Sequence, residues 1–266
     1  VNTQQMPPMG FGTCAWTHDD WRGVFYPAHL PPAERLAYYA RFFSAVEVDS
    51  TFYHIPTRSV SAHWSDVTPP TFQFSCKVPK EITHERKLRD CSGLVAEFLN
   101  GIEPLVGKLG ALLIQLPPFF APKRDEHTLR EFVLSLPTGW PWAIEFRDHE
   151  WHLPRIVHLL EQKGICWCWN DVSSLQNADA AAFDSHPRTS EFAVVRLMGD
   201  LSTKYRGDGS VIHTYNRTQW PRETSVENWA AKVRAEGPEL KRVLVFANNH
   251  FEGYAPETAQ RIARVL

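Results

Sequence analysis

One pattern restricts the fold of this chain more than any other. Eight short runs rich in β-forming residues recur at similar intervals: "MGFGTCAW" (9–16), "AVEVDS" (45–50), "TFQFSCKV" (71–78), "GALLIQLP" (110–117), "WAIEFR" (142–147), "GICWCWN" (164–170), "FAVVRLMG" (192–199) and "RVLVFANN" (242–249). Most are near-continuously apolar, as expected of parallel strands covered on both faces. Helical patterns separate them. Pro31 and Pro32 precede "AERLAYYARFF", where Leu36, Tyr39, Ala40 and Phe43 form one stripe. "RSVSAHW", "CSGLVAEFLNGIEPL", "DEHTLREFVLSL" and "LPRIVHLLEQ" follow strands two to five. "LQNADAAAF" after strand six is the weakest of these patterns. Thr224 and Glu227 read as a capping box for "SVENWAAKVRAE", and Pro256 with Glu257 opens the last helix, "PETAQRIARVL".

Eight strand–helix repeats within 266 residues match the arithmetic of a single-domain α/β protein, a (β/α)8 TIM barrel over residues 1–266. A doubly wound open sheet is the alternative. It lacks support from a G-x-G-x-x-G or Walker phosphate loop. Two connections are long, "THDDWRGVFYPAHL" after strand one and "DLSTKYRGDGSVIHTYNRTQWPRE" after strand seven. Both follow strand C-termini, the face on which barrel active sites form.

Composition narrows the function classes. The formal net charge of −2 gives no overall electrostatic footprint for nucleic acid or an anionic membrane. No run approaches the roughly 20 apolar residues of a membrane span, and "VNTQQMPPMG" does not read as a signal peptide. Five cysteines suit neither a disulfide framework nor a paired zinc site. The expectation is a cytoplasmic protein with no membrane partner; the sequence does not fix its oligomeric state.

Polar residues collect at the strand C-termini. Alternation aims Glu47 and Asp49 to one face of strand two. Lys77 ends strand three, Gln115 strand four, and Glu145 with Arg147 strand five. Asn170 ends strand six, Arg196 lies in strand seven, and Asn248 with Asn249 ends strand eight. Three acids and three bases are thereby aimed at one cavity. Buried charges must pair or bind a ligand, so a closed ion-pair network competes with a functional site. His84 in "KEITHER" is a candidate acid or base, against a histidine that only bonds backbone. Trp16, Trp21 and Tyr53, with Tyr26, are candidate pocket walls, against ordinary rim packing. Cys166 and Cys168 read as small residues filling the barrel. Histidines 18, 54, 84, 149, 213 and 250 fall in loops on the same side, yet no H-E-x-x-H signature accompanies them and the inward cations repel a metal ion. The reading therefore calls for no metal and no cofactor.

With these strand ends in view, the chain resembles the DUF72, or YecE-like, family. The likeness rests on "GTCAWTHDDWRGVFYP", "YYARFFSAVEVDSTFYHIP", "FQFSCKVPKEITH", "LGALLIQLPPFF", "AIEFRDHEW", "VVRLMG" and "FANNHFEGYAPETAQRI". It implies a TIM barrel similar to endonuclease IV-like barrels and supplies no catalytic assignment. Against the family's usual pattern Asp49 stands in place of an asparagine, Met198 in place of a histidine, and Cys14–Ala15 in place of Ser-Gly.

Two function classes follow. The first is an enzyme, a hydrolase or lyase, acting on a small anionic molecule, phosphorylated or sugar-like. Glu47, Asp49, Glu145 and His84 are its catalytic candidates. Trp16, Trp21, Tyr53, Lys77, Gln115, Arg147, Asn170, Arg196, Asn248 and Asn249 are its substrate-binding candidates, with the arginines suited to bidentate contacts. The alternative is a nucleic-acid binding or processing protein that uses loops such as "PKEITHERKLR" on phosphates. A non-catalytic scaffold is a third class, for which the chain offers no exposed amphipathic repeat.

Overall fold

All eight apolar runs form strands, and every ladder is parallel. In the computed structural model, which describes residues 5–172, 186–199 and 214–266, these are β1 (Met9–Thr13), β2 (Ala45–Val48), β3 (Gln73–Lys77), β4 (Leu109–Gln115), β5 (Trp142–Glu145), β6 (Cys166–Trp167), β7 (Trp169–Val172), β8 (Phe192–Gly199) and β9 (Arg242–Ala247). The sixth predicted strand is split at Cys168. Its first half, β6, pairs with β5, and its second half, β7, pairs with β8.

The ladders make two sheets, β2-β3-β4-β5-β6 and β1-β9-β8-β7. The split strand passes the ring from one sheet to the other. At the opposite seam, among the described residues, a single parallel bridge joins Cys14 to Glu47, and the Ala15 N–H donates to the Glu47 carbonyl at 3.0 Å. Gly12 lets the two strands approach there, since a Cβ on it would lie 1.9 Å from the Ala45 carbonyl oxygen. The order of strands around the ring is that of a (β/α)8 TIM barrel.

Helices cover the outside at Arg35–Tyr39, Arg58–Asp66, Ser92–Ile102, Pro122–Ser135, Pro154–Lys163, Glu223–Glu236 and Ala255–Val265. Pro122, Pro154 and Pro256 lie in first turns, where a missing N–H costs nothing. The helix starting at Glu223 departs from expectation. Its N-cap is Arg222, and no Thr224 box forms. The buried Glu252 carboxylate instead accepts from the Arg222 N–H at 2.7 Å. Asp171 on the outer face of β7 accepts from Ser225 Oγ and Trp229 Nε1 and so holds this helix on the sheet. "LQNADAAAF", residues 200–213 of the long loop and His213 lie outside the described residues.

The lumen is filled by one apolar cluster that includes Ala45, Leu113, Ala143, Cys166, Cys168, Val194, Leu244 and Phe246. Cys166 and Cys168 pack as small fillers, and burial pushes their thiols upward, Cys166 to about 12, so neither is a ready thiolate. Above this layer the strands carry their charges.

Candidate functional site at the C-terminal mouth

The lowest charged layer is a closed network. Arg196 projects from β8 into the lumen. Its Nε and Nη2 donate to the two Glu47 oxygens at 2.8 and 2.6 Å, and its Nη1 donates to Glu145 Oε2. Arg147 Nε donates to Glu145 Oε1. Glu47, Glu145 and Arg196 are each at most 1% exposed. The partner of Glu47 is therefore not a neighbouring strand's cation: β2 and β8 lie in different sheets, and Arg196 reaches across the lumen. Burial pushes the Glu145 carboxyl up, but Arg147 and Arg196 outweigh it and hold it at about 2. Burial likewise lowers Arg196, and Glu145 with Glu47 overcomes that and raises it well above its ordinary value.

Nearer the mouth, β2 ends at Val48. Asp49 has helical backbone angles and opens the turn Ser50–Tyr53, so strand alternation does not set its direction as the sequence pattern suggests. Asp49 Oδ1 accepts from Lys77 Nζ at 2.7 Å, and Lys77 lies 4.2 Å above the Phe52 ring. The edge of the same ring meets His84.

His84 sits in a five-residue π-helical turn, Glu81–Glu85. Such turns are rare and concentrate at functional sites. The backbone just beyond is strained, with Lys87, Leu88 and Asp90 at φ of 50°, 68° and 51°. His84 Nδ1 is 2.8 Å from Thr83 Oγ1. Burial lowers the pKa of His84, and Lys77 and Arg147 lower it further against a weaker opposing pull from Glu85. The lowered pKa favours the neutral imidazole, within the electrostatic field of Lys77 and Arg147.

The remaining candidates divide. Tyr53 is exposed at the rim, and Trp16 is buried with its ring edge-on to Trp64. Trp21 is fully buried among His18, Phe25 and Tyr26, as core rather than wall, and its Nε1 has no partner among the described residues. Gln115 is half-buried in register with Glu145. Asn170 bonds the Phe146 carbonyl and His186. Asn248 caps His250, whereas Asn249 Oδ1 accepts from the Ala255 N–H while its buried Nδ2 has no partner among the described residues. In the loop "PKEITHERKLR", Lys80 pairs with Glu85 and Arg86 with Glu81.

One group escaped the strand-end pattern. The Tyr215 N–H donates to Asp20, and its hydroxyl lies 3.2 Å from His250 Nδ1. His18 lies near Asp20 and Asp49, whose charges partly oppose the lowering of its pKa by burial. Asp20 lies in the short 3-10 turn Asp19–Trp21 and Tyr215 in irregular backbone, where no strand periodicity marks them.

The comparisons with known proteins agree with this architecture. A DUF72 family protein from Thermotoga maritima MSB8 is 26% identical and superposes with a TM-score of 0.76 over 97% of this chain and 98% of that one. A DUF72 family protein from Enterococcus faecalis V583 gives 0.75 at 20% identity, over 97% and 95%. UPF0759 protein YecE of Escherichia coli K12 is 35% identical over 136 residues, 51% of this chain and about half the length, 47%, of that relative. UPF0759 protein YunF of Bacillus subtilis 168 is 24% identical over 96% of this chain and 93% of its own length. Residues 10–266 match the family described as "Protein of unknown function DUF72", and the chain belongs to that family.

Proposed function

We propose that the barrel mouth binds a small anion and acts on it by proton transfer at His84. The observation that carries this reading is His84 on the π-turn Glu81–Glu85, packed against the same Phe52 ring that Lys77 covers. Arg147 spends only its Nε on Glu145, and among the described residues its Nη groups take no hydrogen-bond partner. Those Nη donors and Lys77 form the anion cradle, in the manner of an Arg–Lys clamp. A bound anion supplies the counter-charge that lets His84 gain a proton in the transition state. The Thr83 hydroxyl faces the Pro79 carbonyl at 3.4 Å, which favours Nδ1–H donating to Thr83 and leaves Nε2 as the proton acceptor.

In this reading Glu47, Glu145 and Arg196 are positioning residues. Glu145 is ionised throughout the physiological range and fixes the orientation of Arg147. Asp49 sets the position of Lys77, and Tyr53 with Trp16 borders the entrance. The three inward cations disfavour a metal ion at the same point. The nucleic-acid alternative draws less support, because two of the four cations in "PKEITHERKLR" are paired with acids of the same loop.

Inorganic phosphate is a direct probe. Titrated into the full chain, it should shift the His84 Hε1 resonance saturably and raise the pKa of His84. Arg147→Met should weaken that response about tenfold, the loss of a charge-assisted contact worth about 1.4 kcal/mol. A His84 resonance indifferent to phosphate and to acetate would sink the reading.

A further inference from the structure

The opposite face of the barrel carries a second charge that the mouth does not explain. Arg242 begins β9 at the N-terminal end of the lumen. Its Nη2 donates to the Gly110 carbonyl at 2.7 Å and its Nη1 to Gln73 Oε1 at 3.2 Å, and its buried Nε has no partner among the described residues. Among the described residues no carboxylate pairs with it. Two cavities meet at this side chain. One, of about 720 Å³, is also lined by Pro8, Met9 and Gln73. The other, of about 420 Å³, is lined by Leu109 and Trp140. Glu191, Phe192 and Arg242 belong to both. Glu191 is the single acid in either lining, and Lys241 already holds it at 2.7 Å. Both cavities are thus left with one uncompensated positive charge.

We infer that this N-terminal face is a binding site for a small organic anion, a carboxylate or phosphate with an apolar body, seated on Arg242. A guanidinium offers five N–H donors, and protein groups use two of these. Phe192 lies beneath the guanidinium at 5.4 Å and extends an apolar surface to the cavity. A ligand's anionic group completes the arginine's bonding, while its body covers Phe192 and Met9. A half-buried guanidinium without a counter-charge is costly, and burial pushes the pKa of Arg242 down in keeping with that cost. A bound anion removes the penalty. The inference is independent of the reading of the mouth.

The test uses the full chain and benzoate, phenyl phosphate and neutral benzyl alcohol as probes, read on the arginine Nε–H resonances and on His84 Hε1. Benzoate or phenyl phosphate should shift the Arg242 Nε–H saturably, with a dissociation constant at or below about 1 mM, and the two anions distinguish carboxylate from phosphate preference. Benzyl alcohol should leave that resonance unmoved. Phe192→Ala, which keeps the guanidinium, should weaken the anions several-fold. Arg242→Lys should weaken them at least about tenfold, read by the backbone amide of residue 242, without altering any response at His84. An Arg242 resonance insensitive to both anions, an equal response to benzyl alcohol, or unchanged affinity in both variants overturns the inference. Because His84 reports the mouth separately, failure at one face is not read as failure at the other.

Discussion

Ala15 shows how a single residue records the geometry of the mouth. Its φ of 101° lies where L side chains rarely go. Three bonds hold it there: its N–H donates to the Glu47 and Thr13 carbonyls at 3.0 and 3.1 Å, and Thr13 Oγ1 donates to its carbonyl at 2.7 Å. This turn fastens β1 to β2 at the seam that lacks a ladder, so the strain is retained because the closure requires it. The resemblance drawn from the sequence implies a glycine here. Relief of a Cβ at positive φ is worth about 1–2 kcal/mol, offset by about 0.5–1 kcal/mol of glycine's extra unfolded-state entropy. Ala15→Gly should therefore stabilise the protein by roughly 0.5–1 kcal/mol in urea denaturation. A loss of stability would show that the turn is not strained. The same turn brings Cys14 Sγ to 4.0 Å from Met198 Sδ.

At the scale of elements, the chain announces its strands and helices but not the bonds that join them. Apolar runs mark all eight strand positions, and prolines in first turns mark three helix starts, because period and φ restriction are local properties. The split at Cys168 is not local: β6 pairs with β5 in one sheet and β7 with β8 in the other. The Thr224–Glu227 pattern misplaces a helix start because a competing acceptor, Glu252, comes from a turn 30 residues away. For the site, alternation located Glu47, Glu145, Arg147 and Arg196. It could not say that Arg196 would cross the lumen, nor that Asp49 would leave the strand. Glu252 is itself a test of such joins. It is fully buried and holds the Arg222 N–H at 2.7 Å, Thr258 Oγ1 at 2.7 Å and Arg261 Nη1 at 3.0 Å, linking the helix Glu223–Glu236 to Ala255–Val265. Glu252→Ala should cost about 3–5 kcal/mol, as for breaking a buried charge pair. Glu252→Gln, which keeps the shape, should cost less. Equal and small losses for the two variants in urea denaturation would refute this anchoring role.

For the molecule as a whole, the lumen network replaces part of what a fully apolar barrel core would provide, and it makes stability depend on acid. Arg196 ties β8 to β2 and β5, strands that share no ladder with it, so the network braces the ring from within. Such a network holds only while its carboxylates are ionised. The folded value of Glu145, about 2, lies below the ordinary 4.5 of a glutamate in the unfolded chain. Its contribution is therefore complete above about pH 5 and is lost as pH falls from there through about 2. The gap corresponds to a contribution on the order of 3 kcal/mol. Glu145→Gln cannot titrate at this position, and it leaves Arg147 and Arg196 short of counter-charge. The variant should be less stable than the parent at pH 6, by about 3–5 kcal/mol. Urea denaturation of both proteins at pH 6, 4 and 2.5 should show that difference shrinking towards the acid end by on the order of 3 kcal/mol. A difference that stays constant across those pH values would mean that Glu145 is not held ionised by the two arginines.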